Sequence, residues 1–261
     1  MGQYSTFSEI YDYLMDTKDY DLWTENIIKI YNKYEFSPRK ILELGCGTGN
    51  ITTRLYKKGF SIIGTDISRE MLEVANDKAL EENLRIRFLL QDMTNLTFNK
   101  KVDSVISICD GINYITDIDK LKRTVNNIYD ILNDNGLFLF DISTLYKLKN
   151  VIGNNVFHEN FENFSYVWDN EFNIETRILK FELTLFLLEE ENNYERFIEN
   201  HVQRAHTIEE IVNILSEKFD ILDILNESLN KPKENDERIY FVARKKGDNN
   251  GKQIYKSFKW K

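Results

Sequence analysis

The run Lys40-Ile41-Leu42-Glu43-Leu44 has the apolar character of a buried strand, and it breaks into Gly45-Cys46-Gly47-Thr48-Gly49 before a helical pattern begins near Asn50. Glycines between a strand and a helix admit positive φ and let a ligand lie against bare backbone. The free N–H groups of the following helix favour an anionic ligand group. Three glycines at alternate positions are more than a sharp turn requires. Acidic residues close the next apolar runs: Asp66 after Ser61–Thr65, Asp92 after Ile86–Leu90, and Asp110 after Val102–Ile108. A carboxylate has two oxygens that accept from adjacent hydroxyls or from an amine. A dinucleotide fingerprint would read G-x-G-x-x-G with an acidic residue about 20 positions on. Here Asn50 stands where its last glycine would be, so a nicotinamide dinucleotide is one candidate ligand among others.

These groups need a scaffold that brings strand ends together. Short apolar runs alternate with helical patterns through residue 145, as β–α–β units of a parallel sheet do. Ser68 is placed to cap a helix with Leu72, Ala75 and Ala79 on one face. Leu121, Val125, Ile128 and Leu132 line another, and Asn135-Gly136 turns the chain into the buried strand Leu137–Phe140. After about Tyr146 the pattern changes. Phe181, Leu183, Leu185 and Leu187 alternate with Lys180, Glu182 and Thr184, the period of a half-exposed antiparallel strand. Phe161–Phe172 and Tyr194–Gln203 are its expected partners, the latter through the turn Glu191-Asn192-Asn193. Thr207 and Glu210 form a capping box, and two strands, Phe219–Leu225 and Arg238–Arg244, close the chain. The expected fold is a Rossmann-like, seven-stranded, mostly parallel sheet with helices on both faces. The expected organisation is a main domain over 1–145 and 204–246, with a helical cap over 1–36, an inserted antiparallel sheet over 146–203 and a tail over 247–261.

The glycine segment, read as Glu43-x-Gly45-Cys46-Gly47-x-Gly49, resembles motif I of the class I S-adenosylmethionine-dependent methyltransferases, E-x-G-x-G-x-G. That resemblance implies S-adenosylmethionine as cofactor. Asp66 is similar to the family's acidic residue that accepts from both ribose hydroxyls, with Ile67 and Met71 beyond it in the same binding set. Asp92 and Met93 stand where the family reads adenine. Cys109-Asp110-Gly111-Ile112-Asn113-Tyr114 resembles the segment that lines the methyl site, with Cys109 as a small wall residue. The opening residues, with Tyr11, Lys18, Tyr20 and Trp23, resemble the N-terminal cap of the bacterial small-molecule branch. That branch includes amino-sugar N-methyltransferases and glycine N-methyltransferase relatives, and its aromatic faces attract the sulfonium cation. His201, Gln203 and Arg204 lie where the family places acceptor contacts. The resemblance thus implies Tyr11, Asn113 and Arg204 at the acceptor, and Asp110, Tyr114 and His201, in that order, as candidate bases. The acceptor implied is a small polar molecule with a nitrogen or oxygen nucleophile. The alternatives are a nicotinamide-dependent oxidoreductase and a non-catalytic module that binds S-adenosylmethionine.

Composition narrows the partners. The 261 residues carry a net charge of −9, which argues against DNA, although a local basic patch leaves RNA open. With 42% hydrophobic residues the chain can bury a core. Two cysteines supply no disulfide framework and three histidines no zinc pattern, so no metal and a reduced, cytoplasmic monomer or homodimer are expected. No apolar run reaches the roughly 20 residues that span a bilayer, and no signal peptide is evident. Met1–Thr6 fits a myristoylation pattern, but nothing basic follows to supply a second membrane signal. The tail interleaves Lys252, Lys256, Lys259 and Lys261 with Tyr255, Phe258 and Trp260. Packing on the domain or on a second subunit is the expected role, with RNA contact the alternative.

Overall fold

The computed structural model describes residues 7–15, 19–190 and 193–247. The Met1–Thr6 pattern, Lys18 of the expected cap, Glu191 and Asn192 of the expected turn, and residues 248–261 of the tail lie outside the described residues. Two helices open the chain, α1 (Phe7–Leu14) and α2 (Tyr20–Lys33). Then β1 (Ile41–Leu44), α3 (Asn50–Lys57), β2 (Ile62–Asp66), α4 (Arg69–Glu81) and β3 (Arg87–Leu90) follow in strict alternation. β4 (Val102–Ser107), α5 (Ile118–Ile131) and β5 (Leu132–Ser143) continue it. The inserted strands are β6 (Val156–Asn160), β7 (Phe164–Asn173), β8 (Ile178–Glu190) and β9 (Asn193–Arg204). α6 (Ile208–Ser216), β10 (Phe219–Asn226) and β11 (Arg238–Lys245) complete the order.

The main sheet runs β10-β11-β5-β4-β1-β2-β3. All neighbours from β5 to β3 are parallel, and only β11 runs antiparallel to both β5 and β10. Strand order reverses between β1 and β4, so a crevice opens beyond their carboxyl ends. Alternation along β5 explains the two-sided core. Leu137 and Leu139 pack with Ile27, Ile51 and Leu55 of α2 and α3, whereas Phe138 and Phe140 pack with Leu121, Val125 and Ile211 of α5 and α6. Ser68 accepts from the Met71 amide at 3.2 Å, and Thr207 with Glu210 closes the expected capping box.

The second sheet, β6-β7-β8-β9, is wholly antiparallel. Its β8 face of Leu183, Leu185 and Leu187 packs with Phe164 and with Ile10 of α1, so α1 lies between the insert and the main domain. Two features differ from the sequence expectation. β7 begins at Phe164, because the Phe161 amide turns back onto the Phe164 carbonyl. The segment Lys147–Ile152 is a helical turn that buries Leu148 and Ile152 against Phe172 and Leu179, and β6 then pairs with β7.

Candidate active site

Gly45, Gly47 and Gly49 all take positive φ, as the loop after β1 must to turn into α3. Gly49 caps α3 with φ +78°, and a Cβ there would lie 3.0 Å from the Phe88 ring. A Cβ on Gly47 would meet nothing within 4 Å, so the loop crest is bare backbone facing open space. Asp66 ties this crest to α4. One carboxylate oxygen accepts from the Gly47 amide at 2.8 Å and the other from the Ser68 amide at 2.9 Å. Each oxygen keeps a second lone pair for a ligand hydroxyl. Cys46 turns its thiol into the core and offers the crevice only backbone. Glu43 lies beneath the loop, fully buried, where its carboxyl accepts from the Thr52 hydroxyl. Burial pushes its pKa up to about 8. The expectation that Glu43 lines the cofactor pocket is therefore corrected: the side chain is sealed under the loop.

The neighbouring strand ends add an apolar ledge. Ile67 is 71% exposed directly after Asp66, and Met71 is half-buried on the first turn of α4. The Met93 methyl lies 3.3 Å from where a Cβ on Gly45 would stand, so Met93 packs against the loop. Asp92 caps the short turn it precedes, accepting from the Thr94 amide at 2.7 Å and the Thr94 hydroxyl at 3.0 Å.

After β4 the chain enters a strained turn. Cys109 has φ +71° and Asp110 φ +54°, consecutive left-handed residues that cost about 1–2 kcal/mol each for a side chain with a Cβ. Asp141, at the end of β5, holds both. Its carboxylate accepts from the Asp110 amide at 2.8 Å and the Cys109 amide at 3.2 Å. Arg238, the first residue of β11, pairs with Asp141 and donates to Asp110 at 3.0 Å. Burial alone would raise the Asp110 carboxyl, but Lys147, Arg238 and the Gln203 amide outweigh it and hold the pKa below its ordinary value. Asp110 is thus ionised and a weak base. The Cys109 thiol is pushed up to about 12 by burial and by Asp110, which makes it inert as a nucleophile.

Three tyrosines close over this turn. The pKa of the Tyr20 hydroxyl is raised by burial, Cys109 and Asp12, with the Asn50 and Tyr11 side chains acting in the opposite direction. Burial raises the Tyr11 hydroxyl, and Cys109, Tyr20, Tyr114 and Asp110 add to the effect at close range. Tyr114 is 46% exposed, and its hydroxyl lies 3.4 Å from Nδ1 of His201. His201 stacks on Phe181, ring centroids 4.6 Å apart, and burial lowers its pKa below the ordinary value. The imidazole is consequently neutral at pH 7 and able to accept a proton. α1 is latched to the glycine loop by Asp12, which accepts from Thr48 at 2.6 Å, Asn50 at 2.8 Å and Lys78 at 2.6 Å.

Three further expected residues sit elsewhere. Asn113 is fully buried; its amide donates to the Ser143 and Arg204 carbonyls and its oxygen accepts from the Ser143 amide. It locks three segments together and, with no exposed surface, does not reach an acceptor in the crevice. Arg204 turns to Glu210 at 3.0 Å, beside Arg177, and braces the start of α6. Trp23 points inward, with its indole N–H on Glu227 at 2.8 Å and one face covered by Arg238 at 4.5 Å. Sequence reasoning missed Asp12, Lys147, Asp141 and Arg238. A charged residue inside the apolar run 137–142 was a signal for Asp141; the others had none. Among the described residues no group of histidine, cysteine and carboxylate side chains is placed to hold a metal ion. No helix among them is long and apolar enough to cross a membrane.

Comparison with known proteins agrees with this geometry. Residues 41–136 match the model of a methyltransferase domain. A putative methyltransferase of Geobacillus sp. is 34% identical over 245 residues, covering 93% of this chain and 99% of that one. The crystal structure of an S-adenosylmethionine-dependent methyltransferase from Clostridium acetobutylicum superposes with a TM-score of 0.84 at 34% identity, over 92% of this chain and 98% of that one. The sugar N-methyltransferase KedS8 from Streptoalloteichus shares the fold, with a TM-score of 0.76 at 18% identity over 95% and 98% of the two chains.

Proposed function

Because the chain belongs to the class I S-adenosylmethionine-dependent methyltransferases, we propose that it methylates a small polar acceptor, an amine before a hydroxyl, at the crevice between the glycine loop and the inserted sheet. The nicotinamide oxidoreductase alternative falls with the family assignment. The bare crest at Gly47 and the free lone pairs of Asp66 suit a nucleoside cofactor. In this reading Gly45, Cys46, Gly47 and Gly49 offer backbone, and Asp66 receives the ribose hydroxyls. Ile67, Met71, Asp92 and Met93 hold the adenine end, while Tyr20 and Cys109 wall the methyl end. S-adenosylmethionine supplies an activated methyl group on a sulfonium, so the protein has chiefly to align and desolvate. Alignment of that kind can supply about 7–11 kcal/mol of a barrier.

The observation that carries the acceptor reading is the pair of Tyr114 and neutral His201 above the Cys109–Asp110 turn. An amine attacks only when neutral, and a histidine kept uncharged by burial can take its proton. His201 therefore ranks above Asp110, whose carboxylate is engaged by Arg238 and Gln203. Tyr11 and Tyr114 would contact the acceptor from opposite sides. Residues 146–203 would form the lid, and 1–145 with 204–246 the cofactor domain. The likeness to KedS8 is one of fold, and it is compatible with an amine on a small polar body. The test is a screen of amine and hydroxyl metabolites with methyl-labelled S-adenosylmethionine, read by mass spectrometry. A labelled small amine supports the reading; label confined to protein or nucleic acid overturns it.

A further inference from the structure

Arg238 follows β4 by more than a hundred residues, yet it lies at the strand ends where the site is built. The reversed direction of β11 explains this. An antiparallel strand beside β5 begins where the parallel strands end, and the register sets Arg238 opposite Ser143. Arg238 is 5% exposed there, and its guanidinium meets three carboxylates and an indole. One nitrogen pairs with Asp141 and a second donates to Asp110 at 3.0 Å. The third faces Glu227 at 3.8 Å, and the plane covers the Trp23 ring at 4.5 Å. Asp141 in turn holds the amides of Cys109 and Asp110 in their left-handed conformations. Trp23 belongs to α2, the helix that carries Tyr20.

We propose that Arg238 is a positioning residue for methyl transfer: it fastens the Cys109–Asp110 turn to α2, so that the methyl-site wall and the aromatic cap are set as one unit. The inference rests on the proposed location of the methyl site. Two buried carboxylates side by side repel unless a cation lies between them, and Arg238 provides that cation together with a planar fork that reaches both. A lysine would keep the charge but could neither bridge both carboxylates in one plane nor cover the indole. The turn would then be free to relax from its left-handed backbone toward ordinary φ.

Cys109 reports on the turn, and the thiol of Cys46, turned from the glycine loop into the core, reports on the rest of the domain. Iodoacetamide labelling followed residue by residue with mass spectrometry separates the two. With Arg238→Lys, labelling of Cys109 should accelerate at least tenfold while Cys46 keeps its wild-type rate, and S-adenosylhomocysteine should bind at least fivefold more weakly by calorimetry. Because lysine retains the cation, faster labelling cannot be assigned to a lost charge, whose loss would raise the thiol pKa and slow the reaction. The double variant Asp141→Asn with Arg238→Gln, whose two lost charges act in opposite directions on the Cys109 thiol, should give the same pattern. The double variant also serves if Arg238→Lys does not fold, since it removes opposite charges together. Equal acceleration of both cysteines would mean that Arg238 only stabilises the fold, and unchanged Cys109 would mean that it does not hold the turn; either overturns the proposal. Faster Cys109 labelling in a protein that shows no S-adenosylhomocysteine binding even as wild type would keep the clamp and refute the site assignment instead.

Discussion

Replacing Glu43 by glutamine exchanges one oxygen for nitrogen and deletes one titration, in a side chain that is 1% exposed. Burial raises the Glu43 pKa from 4.5 to about 8, with the Thr52 hydroxyl bond acting in the opposite direction. The native state therefore keeps a proton that the unfolded chain releases, and stability falls as pH rises from about 4.5 to about 8, then levels off. A gap of about 3.5 pKa units corresponds to about 5 kcal/mol at full development, at about 1.36 kcal/mol per unit. Relaxation of the surroundings and water entry reduce the effect, so about 2–4 kcal/mol is expected at pH 8.5. Glutamine still accepts from Thr52 and carries no titration. Urea unfolding of both proteins at pH 5, 7 and 8.5 should show near-equal midpoints at pH 5 and a widening advantage for Glu43→Gln above it. His206 titrates in both proteins and cancels in the difference. S-adenosylhomocysteine affinity should change less than threefold, because Glu43 does not reach the crevice. A stability difference that stays constant with pH would mean that Glu43 ionises normally in the native state.

Asp66→Ala should weaken S-adenosylhomocysteine binding by about 2–4 kcal/mol, from lost charge-assisted bonds to the ligand and a released Gly47 amide, with Asp66→Asn losing less; calorimetry that shows no change would contradict ribose contact. Asp12→Ala removes the bonds to Thr48, Asn50 and Lys78 that latch α1, and stopped-flow dissociation of S-adenosylhomocysteine should quicken about tenfold, or a binding-independent α1 is indicated. His206 is held down to about 4 by burial, so its native form stays neutral while the unfolded chain takes up a proton. Stability supplied by this group is present above about 6.5 and lost as pH falls toward 4; His206→Gln should flatten that acid limb of the urea midpoint against pH, and an unaltered limb would assign it to other groups.

Local sequence features carried much of the fold. The Gly45–Gly49 loop, the Ser68 and Thr207 caps and the alternation in β8 all depend on residues within one or two turns of each other, and those interactions are readable along the chain. β6 was missed because its five residues, with Val156, His158 and Asn160 on one face and Phe157 and Glu159 on the other, present no clear alternation. The helical turn 147–152 was missed because burial of Leu148 and Ile152 depends on Phe172 and Leu179, which arrive only when the insert folds back. Site residues divide the same way. The positions of Asp66, Met93 and Cys109 follow from strand ends. Asn113 and Arg204 looked available because a sequence does not reveal which polar side chains are consumed by main-chain carbonyls or by a distant carboxylate. The Arg238 contacts to Asp141 and Asp110 join residues 97 and 128 positions apart, and only the antiparallel entry of β11 brings them together.

In the proposed reaction, methyl transfer occurs beneath the inserted sheet and His201 takes the proton from a small acceptor. Single-turnover methyl transfer by His201→Phe, using the acceptor that the labelled-methyl screen identifies, tests it most directly. Phenylalanine keeps an aromatic ring on Phe181 while removing both ring nitrogens and with them the Tyr114 contact. Loss of a positioned general base costs typically 10²- to 10⁴-fold. The single-turnover rate should fall at least about 100-fold while S-adenosylhomocysteine affinity stays unchanged. A rate equal to the wild type's would contradict that role of His201.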